Sequence, residues 1–274
     1  MEPAPLAALY NAAPIILWVE DQLTARYLDT VWQHDKRIQM YIGGGHETLE
    51  AVVEDAYRAG RTCVFSLRDR DFGPSNRSRW VEKDQHKFAL ESFEVECFLC
   101  DAMSLSSIDL NTGGRSKVQI EEWLTARAQD ACWWMACRRV ISGLREARQE
   151  HFWKHPKRSK VTDQSQAEQI LLDSDWRKQT VPALPEKVTE SRLREQLASA
   201  QVFYDDQVKA GAWIPSFSCK EVFEELVSWV YTKGRPPGDA GKEDLAKAVA
   251  QKQVQDQRIP LELIELKNAL LGRL

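Results

Sequence analysis

Arg61-Thr62-Cys63-Val64-Phe65-Ser66-Leu67-Arg68-Asp69-Arg70-Asp71 is the stretch whose reading decides the fold. Cys63, Val64, Phe65 and Leu67 carry the β-branched and aromatic bias of a buried strand, with Gly60 before them and the loop signal Phe72-Gly73-Pro74 after. The apolar run therefore ends at two carboxylates one residue apart. Side chains alternate along an extended chain, so Asp69 and Asp71 are expected on one side, roughly 6 to 7 Å apart at Cα, with Arg70 on the other. That spacing suits a shared divalent cation, although an Asp-x-Asp triplet also occurs in ordinary solvated loops.

Upstream, Pro14-Ile15-Ile16-Leu17-Trp18-Val19 is a continuous apolar run ending at Glu20-Asp21, as in a parallel strand covered on both faces. A helix is predicted from about Gln22 to Trp32, a strand at Ile38 to Ile42, and a sharp turn at Gly43-Gly44-Gly45. A second helix is expected near Glu47 to Ala59, with Gly60 placed to end it as C′. The alternation of strand and helix indicates β-α-β units and a parallel sheet, with ligands collecting at the carboxyl ends of the strands. Glu20, the triglycine and both aspartates lie at those ends.

Downstream, Phe88-Ala89-Leu90 reads as a short further strand. Glu94 and Glu96 then flank a hydrophobic anchor, and they share a face only if the segment is extended. From about Lys117 the pattern is helical. The window Arg138 to Lys160 holds eight Lys or Arg against two Glu, with His151, Phe152, Trp153 and His155 interleaved. It reads either as a solvated helix end or as a phosphate-tracking surface with stacking side chains, in which Arg145, Arg148, Lys154, Lys157 and Arg158 would meet a nucleic acid. A charged helix is expected over Glu186 to Ala210. Ser218-Cys219-Lys220-Glu221 has capping-box spacing for a helix over Val222 to Tyr231, and a last helix is expected to take Pro260 at N1.

The chain has 274 residues, 43% of them hydrophobic and 28% charged, and no apolar run near the length of a bilayer span. No secretory signal pattern opens it, so a cytoplasmic location is expected. A net charge of -4 excludes a wholly polyanion-binding surface but not a local one. Six cysteines lie in apolar or helical segments; Cys97, Cys100, Cys132 and Cys137 make a zinc set on paper, but their Leu, Phe, Trp and Met neighbours favour buried thiols.

Strand-Glu20, helix, strand-Gly-Gly-Gly, helix, strand-Asp69-Arg70-Asp71 resembles the Toprim domain of topoisomerases, primases and overcoming-lysogenization-defect nucleases. Phe93-Glu94-Val95-Glu96-Cys97-Phe98-Leu99 is similar to the "IENYLL" stretch of the Toprim-like DUF4435 family, which includes the nuclease subunit of PARIS anti-phage systems. The resemblance covers about residues 14 to 101 and implies a Toprim-like Rossmannoid sheet domain over 10–101, followed by an all-α substrate- and partner-binding domain over 102–274. It implies a metal-dependent endonuclease using Mg²⁺, or Mn²⁺ in its place. Glu20 would be general base or ligand, Asp69 and Asp71 metal ligands, Glu96 a further acidic residue with Glu94 behind it, and Lys220 a stabiliser of transition-state charge. This chain has Cys219 where that lysine element carries a glycine, and Thr24 where many relatives place a second glutamate, so one well-held Mg²⁺ is expected rather than two. The implied substrate is tRNA or other RNA, with DNA the alternative; the implied partner is an ABC-type ATPase that restrains the toxic effector, with self-association on release and no membrane.

Two other readings share the fold. In a phosphoreceiver domain Asp69 would accept a phosphoryl group, but such a domain needs two more β-α units than the pattern supplies. In a nucleotide-binding or purely structural module the triglycine would approach a phosphate, though it lacks the spacing of the dinucleotide fingerprint. His46, directly after it, reads as a helix-start residue rather than a ligand.

Overall fold

The computed structural model describes residues 9–148, 155–172, 188–230 and 239–274, without the side chains of 146–148 and 239–240. The expected phosphate contacts of Lys154 and of the Arg148 side chain fall outside the described residues, as do His151, Phe152 and Trp153.

Among the described residues, four parallel strands form one sheet in the order β2-β1-β3-β4: β1 Ile15–Val19, β2 Ile38–Ile42, β3 Val64–Arg68 and β4 Lys87–Ala89. Leu17 lies opposite Met40 on one side and Phe65 on the other, and Leu67 lies opposite Phe88. Every residue of β1 is buried, which is why its sequence is an unbroken apolar run and not an alternating one. β2 is an edge strand and leaves Ile42 exposed.

Helix α1, Gln22–Val31, follows β1 directly because the Asp21 carboxylate accepts the Thr24 N–H at 2.8 Å and caps it. Helix α2, His46–Arg58, begins after Gly45 and ends in a Schellman motif. Gly60 adopts φ +79 and its N–H reaches the Tyr57 carbonyl, while the Arg61 N–H reaches that of Ala56, both at 2.9 Å. In the triglycine, Gly44 adopts φ +79, and a Cβ on Gly43 would lie 2.5 Å from Leu49 Cδ2. The turn therefore uses glycine at 44 for its conformation, and at 43 a Cβ would displace the Leu49 side chain of α2.

Among the described residues, further helices follow: α3 Glu96–Leu99, α4 Ala102–Ser107, α5 Lys117–Arg148, α6 Gln164–Leu172, α7 Glu190–Lys209, α8 Lys220–Val230, α9 Asp239–Gln255 and α10 Leu261–Leu271. Pro260 is the N-cap of α10 and stands one position earlier than the expected N1. No described helix is long and apolar enough to cross a membrane.

Two compact units emerge, residues 1–120 with 223–274, and residues 121–222. This division differs from a boundary at residue 101 because the last helices return to the sheet domain: α9 packs on α1 and α4. Tyr27 Oη donates to Gln253 Oε1 at 2.7 Å, and Gln253 in turn donates to the Phe98 carbonyl at 2.9 Å. Trp32 Nε1 donates to the Leu263 carbonyl at 3.0 Å, so α10 is held in the same way. In the second unit Cys132 and Cys137 are buried, and burial pushes both thiols up to about 12, so neither is a thiolate at neutral pH.

Candidate metal centre

Glu20 follows the last residue of β1, and Asp69 follows the last residue of β3, its immediate neighbour in the sheet. Glu20 Oε1 accepts the Asp69 N–H at 3.4 Å, so the two strand ends meet. The chain then turns: Asp71 takes φ +50, a left-handed conformation that aspartate tolerates better than most residues. Its N–H donates to the Phe93 carbonyl at 3.0 Å. That bond ties the Asp69-Arg70-Asp71 corner to the segment carrying Glu94 and Glu96.

That segment is not an extended strand. Residues Leu90 to Val95 form no regular element, and one helical turn, α3, begins at Glu96. With Glu94 before the turn and Glu96 opening it, the two carboxylates converge despite not sharing the face of a strand. Ligand oxygens of Asp69, Glu94 and Glu96 all lie within 4.8 Å of one another, the spacing needed to hold one cation. Glu94 and Glu96 are each 5% exposed, an unusual degree of burial for a glutamate. Asp69 Oδ1 also accepts the Val95 N–H at 3.3 Å.

The close metal-spaced group is thus Asp69-Glu94-Glu96, where Glu20-Asp69-Asp71 was expected. Asp71 is exposed, because the left-handed turn breaks the alternation on which a shared face depended. Glu20 and Asp71 remain in the same electrostatic field. Burial first, and then the charge of Asp71, push the Glu20 carboxyl up to about 7. Asp69 is driven well above the usual carboxylate range by burial, then by Glu96, Glu20, Glu94 and Asp71. Asp21 is engaged as the cap of α1. Such a group costs the metal-free fold stability, and a divalent cation reverses the sign of the local field.

A residue that sequence reasoning missed holds the segment in place. Glu262, in the first turn of α10 and 6% exposed, accepts the Glu91 N–H, the Ser92 N–H at 3.2 Å and the Ser92 Oγ–H at 2.8 Å. Arg77 adds ion pairs to Glu91 and, at 2.7 Å, to Glu265 of α10. A buried glutamate one position after a helix start is invisible to hydrophobic periodicity, and its partners lie 170 and 171 residues away.

The remaining expected residues belong to the unit of residues 121–222. Lys220 is the first residue of α8 and is exposed. Arg145 is half-buried and Lys157 exposed. Arg158 differs from its expected role: it is 8% exposed, and its guanidinium donates to the Arg127 carbonyl at 2.9 Å, so it braces α5 instead of facing a phosphate. Burial, with Arg138 and Arg145, pushes His155 down to about 3, which leaves its ring neutral at physiological pH.

No family model matches the chain, and no curated protein or solved structure matches it.

Proposed function

We propose that the chain is a Toprim-like, Mg²⁺-dependent nuclease that cleaves phosphodiesters, with Asp69, Glu94 and Glu96 as the cation-holding set and Glu20 beside them. One observation carries this reading: three carboxylates from two segments meet within 4.8 Å at the carboxyl edge of a parallel sheet. The donor set fits the ion, since Mg²⁺ prefers hard carboxylate oxygens and keeps several waters, so that a few protein ligands suffice. Mg²⁺, with Mn²⁺ as a substitute, would supply positive charge for a phosphodiester oxygen and lower the pKa of a water. Glu20, with its carboxyl pushed up to about 7, is suited to take a proton from that water near neutral pH. Asp71, at the rim, adds negative charge that keeps Glu20 basic. The same crowd of carboxylates disfavours the phosphoreceiver reading, in which Asp69 would carry a further anionic group among Glu20, Glu94 and Glu96.

The finer assignments follow the sequence resemblance: tRNA as substrate, Lys220 as a transition-state cation, restraint by an ABC-type ATPase, dimerisation on release, and a role as toxic effector in anti-phage defence. The deciding experiment incubates the full chain with mixed tRNA and plasmid DNA in Mg²⁺ and then in chelator. Cleavage that needs Mg²⁺ and is lost in Asp69→Asn and in Glu20→Ala supports the proposal. Cleavage that persists in chelator, or in both variants, removes it.

A further inference from the structure

Within the described part of residues 121–222, helices α5 and α7 border a cleft of about 570 Å³, a volume typical of ligand sites. Its wall mixes Val140 and Leu144 with Arg139, Arg192, Ser199 and Phe203. The Arg139 guanidinium lies over the Phe203 ring at 4.8 Å from the centroid, and Phe203 remains 39% exposed. Phe203 also meets the Tyr204 ring at 5.1 Å in a T-shaped contact, and its exposed part together with the exposed Arg139 guanidinium offers a surface on which another planar group can stack. Arg192 pairs with Glu195 at 3.0 Å, but both side chains are more than half exposed, so the pair is weak and its guanidinium can be recruited by a phosphate.

Gly143 adds an independent observation. It sits inside the 32-residue helix α5, where glycine is the least favourable residue short of proline. Among the described residues packing does not require it, since beyond its own helix a Cβ there would meet no atom within 4 Å, and Gly143 lines the cleft. A side chain at this position would project toward the cleft.

We infer that the α5–α7 cleft binds single-stranded nucleic acid, with a base stacked on the Arg139–Phe203 platform and a neighbouring phosphodiester on Arg192. The inference rests on the nuclease reading for its choice of ligand, and it places contact elsewhere than Arg145, Lys157 and Arg158. A planar base fits the platform and a phosphodiester fits the arginine, whereas duplex would hide the base faces.

The test is fluorescence anisotropy of the full chain in chelator, which prevents Mg²⁺-dependent cleavage, using labelled oligomers of about ten nucleotides in ribo- and deoxyribo- form. The parent chain is expected to bind with affinity that falls as salt rises, and Arg139→Gln, Phe203→Leu and Gly143→Phe each to weaken binding about tenfold or more without lowering Tm. The tighter of the two oligomers assigns RNA or DNA. Parent-like binding in all three variants, or no binding of either oligomer to the parent, overturns the inference. Mg²⁺-dependent cleavage that survives either result leaves the nuclease reading intact, while cleft binding without any cleavage sinks that reading alone.

Discussion

Glu20 and Asp69, forty-nine residues apart, are joined by a hydrogen bond from the Asp69 N–H to Glu20 Oε1 at 3.4 Å. Adjacent parallel strands end side by side, so the first residue beyond each strand comes within reach of the other. On the proposed function, Glu20→Gln keeps the volume and an acceptor oxygen but cannot take a proton. Cleavage by that variant is expected to drop about 100-fold or more at neutral pH without a fall in Tm. Parent-like turnover would exclude Glu20 as the base.

The raised carboxyls make the metal-free fold sensitive to pH. The folded-state value of Glu20 is about 7 against an ordinary 4.5, and Asp69 moves in the same direction. The folded chain therefore keeps protons that the unfolded chain releases. Stability is fully present below the unfolded value and is lost as pH rises through the folded one, so urea midpoints in chelator are expected to fall between about pH 4.5 and 7. Asp69→Asn puts a neutral amide into the crowded set and is expected to flatten that fall, so that its urea midpoint in chelator exceeds the parent's at the alkaline end. A steeper slope in the variant would contradict the electrostatic account.

Mg²⁺ is expected to have the opposite effect on the parent. At about 100 times its Kd a ligand that binds only the folded state adds about 2.7 kcal/mol, which corresponds to a Tm increase of roughly 5 °C or more for a chain of this size. Glu96→Gln and Glu94→Gln should each shrink that increase at fixed Mg²⁺, as read by thermal melting. An undiminished increase in both variants would place the cation elsewhere.

Glu262 acts on the centre through the backbone of Glu91 and Ser92. Glu262→Ala leaves two N–H groups and the Ser92 hydroxyl without their acceptor, at a cost of about 2–4 kcal/mol. Weaker Mg²⁺ binding by calorimetry, at a temperature where the variant is still folded, would mark it as a positioning residue. A loss of stability with parent-like Mg²⁺ affinity would restrict it to a structural brace.

Arg158 and Lys157 are adjacent but have different surroundings. Arg158→Met breaks a buried bond to the Arg127 carbonyl, so Tm is expected to fall by about 2–6 °C, whereas Lys157→Ala leaves Tm unchanged. Equal effects of the two substitutions would refute the contrast.

Local patterns were enough to read much of the sheet domain. The unbroken run Ile15 to Val19 marked a strand buried on both faces, Gly60 marked a helix end, and strand ends marked the places where Glu20 and Asp69 stand. These features depend on backbone preferences and burial within a few residues, which sequence carries directly. Tertiary structure alone decided that Asp71 turns out to the rim, that buried Glu94 and Glu96 replace it beside Asp69, and that Glu262 clamps their segment from the other end of the chain. Which carboxylates converge is set by a left-handed corner and by contacts across up to 171 residues, and neither leaves a periodic trace in the sequence.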